Sequence, residues 1–330
     1  MTAVAAAPSV LIPPMRGDMR TYVPIGGGTV HRFSGEAIGT GWRLSVVLTD
    51  EGQLDAARTC MMRGLAMVVA QMSQWEPASE LSRFNAAPAG TGMTLSPGFI
   101  RVLDCALVLA RESDGAFDPA LGELSEAWGF GAGAASGRPP EPGMRRTGWR
   151  ALNFDPATGR IVQPGGISLD LSGIAKGFAV DLVSALLSRE GLGHHLVEIG
   201  GELRGSGVKP DGQPWWVDIE DAPGSPGEPA RIALSGWAVA TSGDWHRRRE
   251  CAGESWSHTL SPATGAPVKN GNRAASVLHR DCMQADGLAT LLMVLDGDAA
   301  IAFADGRGLA ARITDARGTV RASTAWRAME

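Results

Sequence analysis

The apolar pattern of one stretch predicts a strand, a helix and a second strand: SLDLSGIAKGFAVDLVSALLSREGLGHHLVEI (168–199). The strand leads into the helix through a turn of small residues. The buried face of the helix is marked by apolar residues at every fourth position: Ile174, Phe178, Leu182 and Leu186. Gly191 follows, and glycine commonly ends helices.

Further elements are predicted around this stretch. Residues 42–49 alternate as a half-buried strand, and Asp50 caps a helix that runs to about Trp75. The remaining elements, in chain order, are a helix from Ser96-Pro97 to near Gly115, strands at 196–199, 215–219 and 232–240, and a helix at about 284–295. Strands and helices mixed with several hairpins indicate an α+β fold, with mixed or antiparallel sheets and packed helices, rather than a doubly wound sheet.

The composition is that of an ordinary globular protein. The chain has 330 residues, of which 44% are hydrophobic and 20% charged, and its net charge is −5. A nucleic-acid partner is not expected, because phosphate-backbone binding needs a concentrated basic surface and the only dense basic run is Arg247–Arg249. We expect residues 1–33 to be an irregular tail and residues 34–330 to form a single domain. A loop is predicted within that domain at 131–143.

Neither the cysteines nor the N-terminus suggests special chemistry. The cysteines lack metal-site spacing and are expected to be mainly buried hydrophobes: Cys60, Cys105, Cys251 and Cys282. The N-terminal segment has no basic region and no lipid-bearing cysteine, so no secretory or lipoprotein leader is predicted. No stretch approaches the roughly 20 apolar residues of a membrane span. A cytoplasmic location is the default expectation, and a periplasmic one stays open.

Two polar clusters lie beside predicted helices. Asp118 precedes Pro119, which favours an extended conformation and gives the carboxylate a fixed direction. An Asx turn that ends the preceding helix is the structural alternative. Lys176 lies in the first turn of its helix, where backbone N–H groups attract an anion but the helix dipole disfavours a cation. Either a nearby anion or a solvated lysine accounts for this position.

Two further clusters contain candidate catalytic groups. His258 lies between hydroxyl residues, where it could orient a phosphate, move a proton or serve only the structure. Asp286 and Thr290 are four residues apart and share one face of an otherwise apolar helix. A carboxylate and a hydroxyl are hard oxygen ligands suited to Mg²⁺. The structural alternative is a carboxylate favoured by the helix dipole and a threonine bonded back to its own helix.

Eight motifs spread over about residues 34–315 occur in a recognisable order. They are Ile38-Gly39-Thr40, SELSRFN (79–85), GAFDPALGELSEAWGFG (115–131), SLDLSGIAKGFAVD (168–181), VEIGGELRGSG (197–207), ATSGDW (240–245), HTLSPATGAP (258–267) and ADGLAT (285–290). Each is a modest signal alone, but eight in register are highly specific. Together they resemble the ApbE family of FAD:protein FMN transferases.

The resemblance implies an α+β fold similar to the T-fold, with FAD bound as substrate in an extended cleft and Mg²⁺ at its pyrophosphate. It implies that a Thr or Ser hydroxyl of an acceptor protein, one with an FMN-binding-type domain, receives FMN while AMP leaves. The metal would be held by Asp286, Thr290 and the backbone carbonyl of Gly173. The FAD site would comprise Ile38, Ala116, Phe117, Asp118, Asp170, Lys176 and Leu260. The catalytic residues would be His258 and Asp286.

Two positions depart from the pattern of that family. Ile38 stands where Met is usual, and Ser261 stands where Asp is usual in the segment after His258. If that Asp orients the histidine or assists the metal, transfer is weakened here. Three activities therefore stay open: FMN transfer to a protein, hydrolysis of FAD to FMN and AMP, and FAD binding without catalysis.

Overall fold

The computed structural model describes residues 8–15, 19–133, 140, 148–219, 221–223, 229–251 and 253–330. Its helices are α1 (Gln53–Met72), α2 (Glu80–Ala86), α3 (Pro97–Glu112), α4 (Gly122–Ala127), α5 (Ala175–Arg189), α6 (Cys282–Val294), α7 (Gly297–Asp305) and α8 (Thr324–Arg327). Its strands are β1 (Ser9–Leu11), β2 (Thr29–Ala37), β3 (Thr40–Leu48), β4 (Gly92–Thr94), β5 (Asn153–Asp155), β6 (Arg160–Val162), β7 (His195–Ile199), β8 (Glu202–Ser206), β9 (Trp215–Asp218), β10 (Ala230–Leu234), β11 (Trp237–Gly243), β12 (Arg248–Cys251), β13 (Glu254–Ser257), β14 (Leu260–Ser261), β15 (Ala266–Pro267), β16 (Asn272–His279), β17 (Ala310–Asp315) and β18 (Val320–Ala322).

The largest sheet has the strand order β18-β17-β16-β11-β8-β7-β3-β2, and all its neighbouring strands are antiparallel. Its two faces border different cores because side chains alternate along a strand. In β3, Leu44 and Val46 pack in the core under helices α1, α5 and α6, whereas Val47 packs in the second core. That second core includes Trp326 and side chains of the small sheet β1-β10-β9. This arrangement confirms the predicted α+β fold.

Helix α6 lies at the centre of the first core. Its sequence, CMQADGLATLLMV, is apolar on nearly every side, which is the pattern of a helix enclosed by other elements. It packs against β11 and β16 of the main sheet and against α3 and α5. Asp286, on this helix, is therefore only 1% exposed.

The first strand predicted in 168–199 is not formed, whereas α5 and β7 confirm the helix and the second strand. The segment before α5 finds its hydrogen bonds elsewhere. The amide of Asn85 accepts from Leu169 N at 2.8 Å and donates to Leu169 O at 2.9 Å. Asp170 N donates to the carbonyl oxygen of Pro119. Because one side chain satisfies both backbone groups of Leu169, that residue needs no neighbouring strand.

Other boundaries also differ from the predictions. The single strand predicted at 232–240 is divided between β10 and β11, with a turn in which Gly236 has a φ of 72°. The segment 1–33 is less irregular than expected, because β1 pairs in parallel with β10 and β2 begins at Thr29. Pairing there buries Leu11 in the second core. Most of the loop predicted at 131–143 lies outside the described residues.

Two simpler expectations can also be compared with the structure. Cys60, Cys105 and Cys282 are buried and free, as predicted. Cys251 is also free but is partly exposed. None of the helices in the described part of the chain combines the length and the apolar composition that a membrane crossing requires.

The buried His195 of β7 is expected to make the fold less stable in mild acid. Burial lowers the pKa of His195 from 6.5 to about 4. Its ring lies 2.8 Å from Ser184 Oγ and 2.7 Å from the Leu192 carbonyl oxygen. The unfolded chain takes up a proton as the pH falls below about 6.5, whereas the folded chain does so only near 4, so stability is lost across that window.

We expect this group to reduce the free energy of unfolding by up to about 3 kcal/mol between pH 6.5 and pH 4. Urea unfolding of the wild type and of His195→Gln at several pH values measures the effect. The variant should show a shallower decrease in this range. Equal slopes in the two proteins would contradict the assignment to His195.

Candidate functional site

A cavity of about 350 Å³ opens at one end of the main sheet. Its walls include the β2–β3 and β7–β8 turns, the last residues of β11, and the C-terminal end of α1. The first turn of α5 and one face of α6 complete it. Segments from both ends of the sequence therefore meet around one space.

All the site residues predicted from the sequence line this cavity. They are Ile38, Ala116, Phe117, Asp118, Asp170, Gly173, Lys176, His258, Leu260, Asp286 and Thr290. Their sequence separation is large, so their meeting is a property of the fold and not of local spacing. What each one does there remains a prediction.

Close packing of α5 against α6 sets the position of Asp286. The backbone N–H of Gly177 donates to Asp286 Oδ2 at 2.9 Å. A side chain at position 177 has no room, since a Cβ there would collide with the Cys282 carbonyl oxygen and lie 2.7 Å from Asp286 Cβ. Glycine at 177 thus lets the start of α5 bind the carboxylate directly.

We expect Gly177→Ala to destabilise the protein by about 2 kcal/mol, although alanine is the better helix former. The reason is that the obstacle includes backbone, which cannot rotate away. Urea unfolding measures the change. Gly193→Ala is the matched control, because nothing lies within 4 Å of its added Cβ. Equal stability of the two variants would show that α5 and α6 can move apart at little cost.

Oxygen atoms from three segments gather at Thr290, one helical turn from Asp286. Thr290 Oγ1 donates to the Gly173 carbonyl oxygen at 3.3 Å and lies 3.3 Å from Ser242 Oγ. Gly173 is close to Thr290, because a Cβ at 173 would lie 2.9 Å from Thr290 Oγ1. A carboxylate, a hydroxyl and a carbonyl are the oxygen donors that Mg²⁺ takes, and Mg²⁺ usually keeps waters or phosphate oxygens as further ligands. The residues present therefore fit this ion.

This donor set is not an all-protein cage of acidic and imidazole groups. Among the residues that the structure describes, no three His, Cys, Asp or Glu side chains converge to hold a metal. A site with one carboxylate leaves room for ligands from a bound diphosphate.

Lys176 lies between two carboxylates. Its Nζ is 2.5 Å from Glu202 Oε1 and 3.6 Å from Asp286 Oδ1. Burial alone would lower the pKa of Lys176, but the charges of Asp286 and Glu202 outweigh burial and raise it. The lysine is therefore a fixed cation. Two carboxylates, those of Glu202 and Asp286, provide the nearby anion that was one of the two interpretations of its position.

Glu202 was not singled out in the sequence. It lies in the VEIGGELRGSG motif, but a lone Glu at the start of a strand has no local signature of function. It is only 3% exposed and lines the cavity. Burial raises the pKa of Glu202, and the Lys176 ammonium opposes this.

Asp118 and Asp170 bond to the loops around the cavity. Asp118 Oδ1 accepts from Ala120 N at 2.7 Å, which is the Asx turn considered as a structural alternative. Its Oδ2 accepts from Trp149 N at 3.3 Å, and burial raises the pKa of Asp118. Asp170 accepts from Ser125 Oγ at 2.6 Å and from Ser172 N at 2.8 Å. Both carboxylates thus shape the wall that they line.

The ring of His258 is oriented by the backbone. Its Nδ1 lies 3.3 Å from the Arg247 carbonyl oxygen, which can only accept, so Nδ1 carries the proton and Nε2 has the free lone pair. The Phe130 ring packs edge-on at 6.1 Å. Burial, with help from the charges of Arg247 and Lys176, lowers the pKa of His258 to about 4. At neutral pH the ring is an uncharged hydrogen-bond acceptor.

The two departures from the family pattern differ in position. Ile38 begins the two-residue β2–β3 turn with a φ of 48°, and Gly39 follows at 72°. A β-branched residue in the left-handed region is strained, so packing of Ile38 against the core has to hold it there. Ser261 is not among the lining residues, and its Oγ accepts from Thr264 N at 3.4 Å within its own turn.

The rim of the cavity carries a second feature that was not predicted. Trp75, just after α1, is 47% exposed, and the Arg247 guanidinium lies 5.4 Å from its ring centroid. Both residues line the cavity. The exposure of this tryptophan on a cavity wall is visible only in the structure. It marks Trp75 as a candidate ligand contact, because apolar rings at such positions often contact ligands.

Comparison with known proteins adds an independent finding. The sequence model of the ApbE family matches residues 38–313. A FAD:protein FMN transferase of Vibrio cholerae is 36% identical over 281 residues, which cover 83% of this chain and 84% of that protein. One of Haemophilus influenzae is 33% identical over 295 residues, covering 84% of each chain. The crystal structure of the Pseudomonas stutzeri flavinyl transferase ApbE, apo form, matches with a TM-score of 0.82 and 32% identity, over 92% of this chain and 97% of that one.

Proposed function

Because the chain belongs to the ApbE family, we propose that it transfers FMN from FAD to the hydroxyl group of a Thr or Ser in an acceptor protein, with release of AMP. The acceptor carries an FMN-binding-type domain, and the reaction depends on Mg²⁺. One observation supports this most directly: Asp286, Thr290 and Gly173 line one cavity together with Lys176, whose ammonium lies 3.6 Å from Asp286 Oδ1.

The chemistry explains why such a set is useful. The acceptor oxygen forms a bond to the phosphorus of the FMN half, and the bond from that phosphorus to the bridging oxygen breaks. The bridging oxygen leaves with the electron pair as part of AMP. Negative charge grows on the leaving oxygen, so positive charge held beside the diphosphate lowers the barrier.

In this proposal Asp286, Thr290 and the Gly173 carbonyl hold the metal, which neutralises diphosphate charge as a Lewis acid. Lys176 offers its ammonium to the phosphate oxygens. Ile38, Ala116, Phe117, Asp118, Asp170 and Leu260 form the remaining FAD contacts. Because these groups are held by the fold, they need little reorganisation during the reaction.

His258 acts on the acceptor side. Its Nε2 carries no proton at neutral pH, so it can accept a hydrogen bond from the incoming hydroxyl. The hydrogen bond orients the oxygen towards phosphorus, and the same nitrogen can receive the proton as the new bond forms. The same hydrogen bond therefore serves both to orient the acceptor hydroxyl and to remove its proton.

The test is incubation with FAD, Mg²⁺ and a purified FMN-binding-domain protein. Flavin fluorescence that stays with the acceptor in a denaturing gel, together with one AMP per flavin attached, is the expected result. Addition of EDTA should stop the reaction, and Mg²⁺ should restore it. An acceptor without its target hydroxyl is the control for non-covalent flavin.

Two other results would replace the proposal. Free FMN and AMP without labelled acceptor would identify a metal-dependent FAD pyrophosphatase. Tight FAD binding without AMP release over hours would identify a non-catalytic flavin-binding protein, which is the outcome that Ser261 could favour.

A further inference from the structure

Glu202 is a buried acid with only half of its carboxylate paired. It begins β8, directly after the Gly200-Gly201 turn, whose residues have φ values of 66° and 99°. Its Oε1 lies 2.5 Å from Lys176 Nζ, but its buried Oε2 has no hydrogen-bond partner among the described residues. Burying a charge in this way is costly, and a buried ion pair often stabilises a fold no better than apolar residues of similar volume. The position therefore calls for a functional explanation.

The partner of Glu202 is also the neighbour of the proposed metal ligand. Lys176 Nζ lies 3.6 Å from Asp286 Oδ1, which is beyond hydrogen-bond distance. The other oxygen, Oδ2, is occupied by the N–H of Gly177. Oδ1 is thus the oxygen that a cation can approach, and Lys176 is the cation already beside it.

An ammonium group and a divalent ion compete for the same carboxylate oxygen. With a single acid in reach, the lysine would close on Asp286, because an unpaired buried carboxylate is unfavourable. Glu202 provides a second and nearer acid. It holds the ammonium on the β8 side of the cavity and leaves the 3.6 Å gap.

We propose that Glu202 is a positioning residue, which anchors Lys176 and thereby keeps the Asp286 carboxylate available to a divalent cation. The inference rests on the proposed function for the metal site, and it assigns Glu202 a role through Lys176. It also accounts for the unpaired Oε2. One oxygen of Glu202 suffices to anchor the lysine, because the anchor is the negative charge of the carboxylate and needs no second hydrogen bond.

The test measures metal binding without turnover. Mn²⁺ is the probe, because it takes the same oxygen ligands as Mg²⁺ and its free form is counted by EPR. We expect Glu202→Gln, which keeps the size of the side chain but not its charge, to bind Mn²⁺ about tenfold more weakly, a change of about 1.4 kcal/mol. The double variant Glu202→Gln/Lys176→Met should regain the wild-type affinity, because the competing ammonium is gone.

A matched control removes a nearby carboxylate that does not contact Lys176. Glu198 lies on β7, on the other side of the β7–β8 turn from Glu202. It is paired with Arg43 and does not line the cavity. Glu198→Gln should bind Mn²⁺ as the wild type does. Thermal unfolding of each variant checks that it is folded.

Several results would overturn the inference. One is wild-type Mn²⁺ affinity in folded Glu202→Gln; another is a double variant that binds as weakly as the single one, which would mean that Glu202 does not act through Lys176. A wild type that retains no Mn²⁺ would remove the metal site and this inference together. FMN transfer by the wild type is measured separately, so the loss of the proposed function is distinguished from the loss of a role for Glu202.

Discussion

Asp286→Asn is expected to reduce FMN transfer by about 10³-fold and to remove its dependence on divalent metal, since a metal contributes several kcal/mol to such reactions. The amide is nearly the same size, so its oxygen can still accept from Gly177 N, and the packing of α5 on α6 is kept. What is lost is the charge that faces the cavity. Transfer is measured by flavin fluorescence of the acceptor over a range of Mg²⁺ concentrations.

The control for Asp286→Asn is Asp298→Asn. Asp298 lies on α7, its side chain is 92% exposed, and it is not a lining residue. Its replacement should change neither the rate nor the metal requirement. If Asp286→Asn instead turned over normally with its metal requirement intact, Asp286 would have to be removed from the ligand set.

His258→Ala is expected to slow FMN transfer by about 10²–10⁴-fold, the range for loss of a general acid–base group. FAD affinity should change far less, because the proposed contact of Nε2 is with the acceptor hydroxyl. Single-turnover transfer and FAD titration measure the two quantities separately. The control is His31→Ala on β2, outside the cavity lining. Equal losses of rate and affinity would make His258 a binding residue.

The pH dependence provides a second check on His258. Because the folded protein lowers the pKa of His258 to about 4, the ring stays uncharged when the pH falls from 8 to 6. A decrease in wild-type transfer that sets in near the ordinary histidine pKa, about 6.5, and that is absent from His258→Ala would contradict this. Protonation of His258 should reduce transfer only as the pH approaches 4.

Local pattern predicted the elements that carry the site better than it predicted their neighbours. Helices α1 and α5 were recognised because their apolar residues recur with helical spacing. Helix α6 was recognised because nearly all of its residues are apolar. The segment before α5 was misjudged as a strand. An extended, alternating run looks the same whether another strand or the amide of Asn85 satisfies its backbone.

The members of the site were found by resemblance, and their grouping required the fold. No spacing rule connects Ile38 to Asp286, which line one cavity only because turns and helices from distant segments share one end of the sheet. Glu202 shows the opposite case. A glutamate beside two glycines is unremarkable in sequence, and its importance becomes visible only through its burial and its contact with Lys176.

The position of α6 also bears on how the protein is made. This helix fills the core beneath the main sheet, yet it follows in the chain all three of the main-sheet strands that it contacts most, β8, β11 and β16. A nascent chain that ends before Cys282 lacks both Asp286 and Thr290, and the apolar faces of β11 and β16 have no covering helix. Under the proposed function, flavin nucleotide therefore cannot stabilise the chain before α6 is in place. Until α6 packs on them, these strands expose apolar surface, which is the state in which folding chains are prone to aggregate.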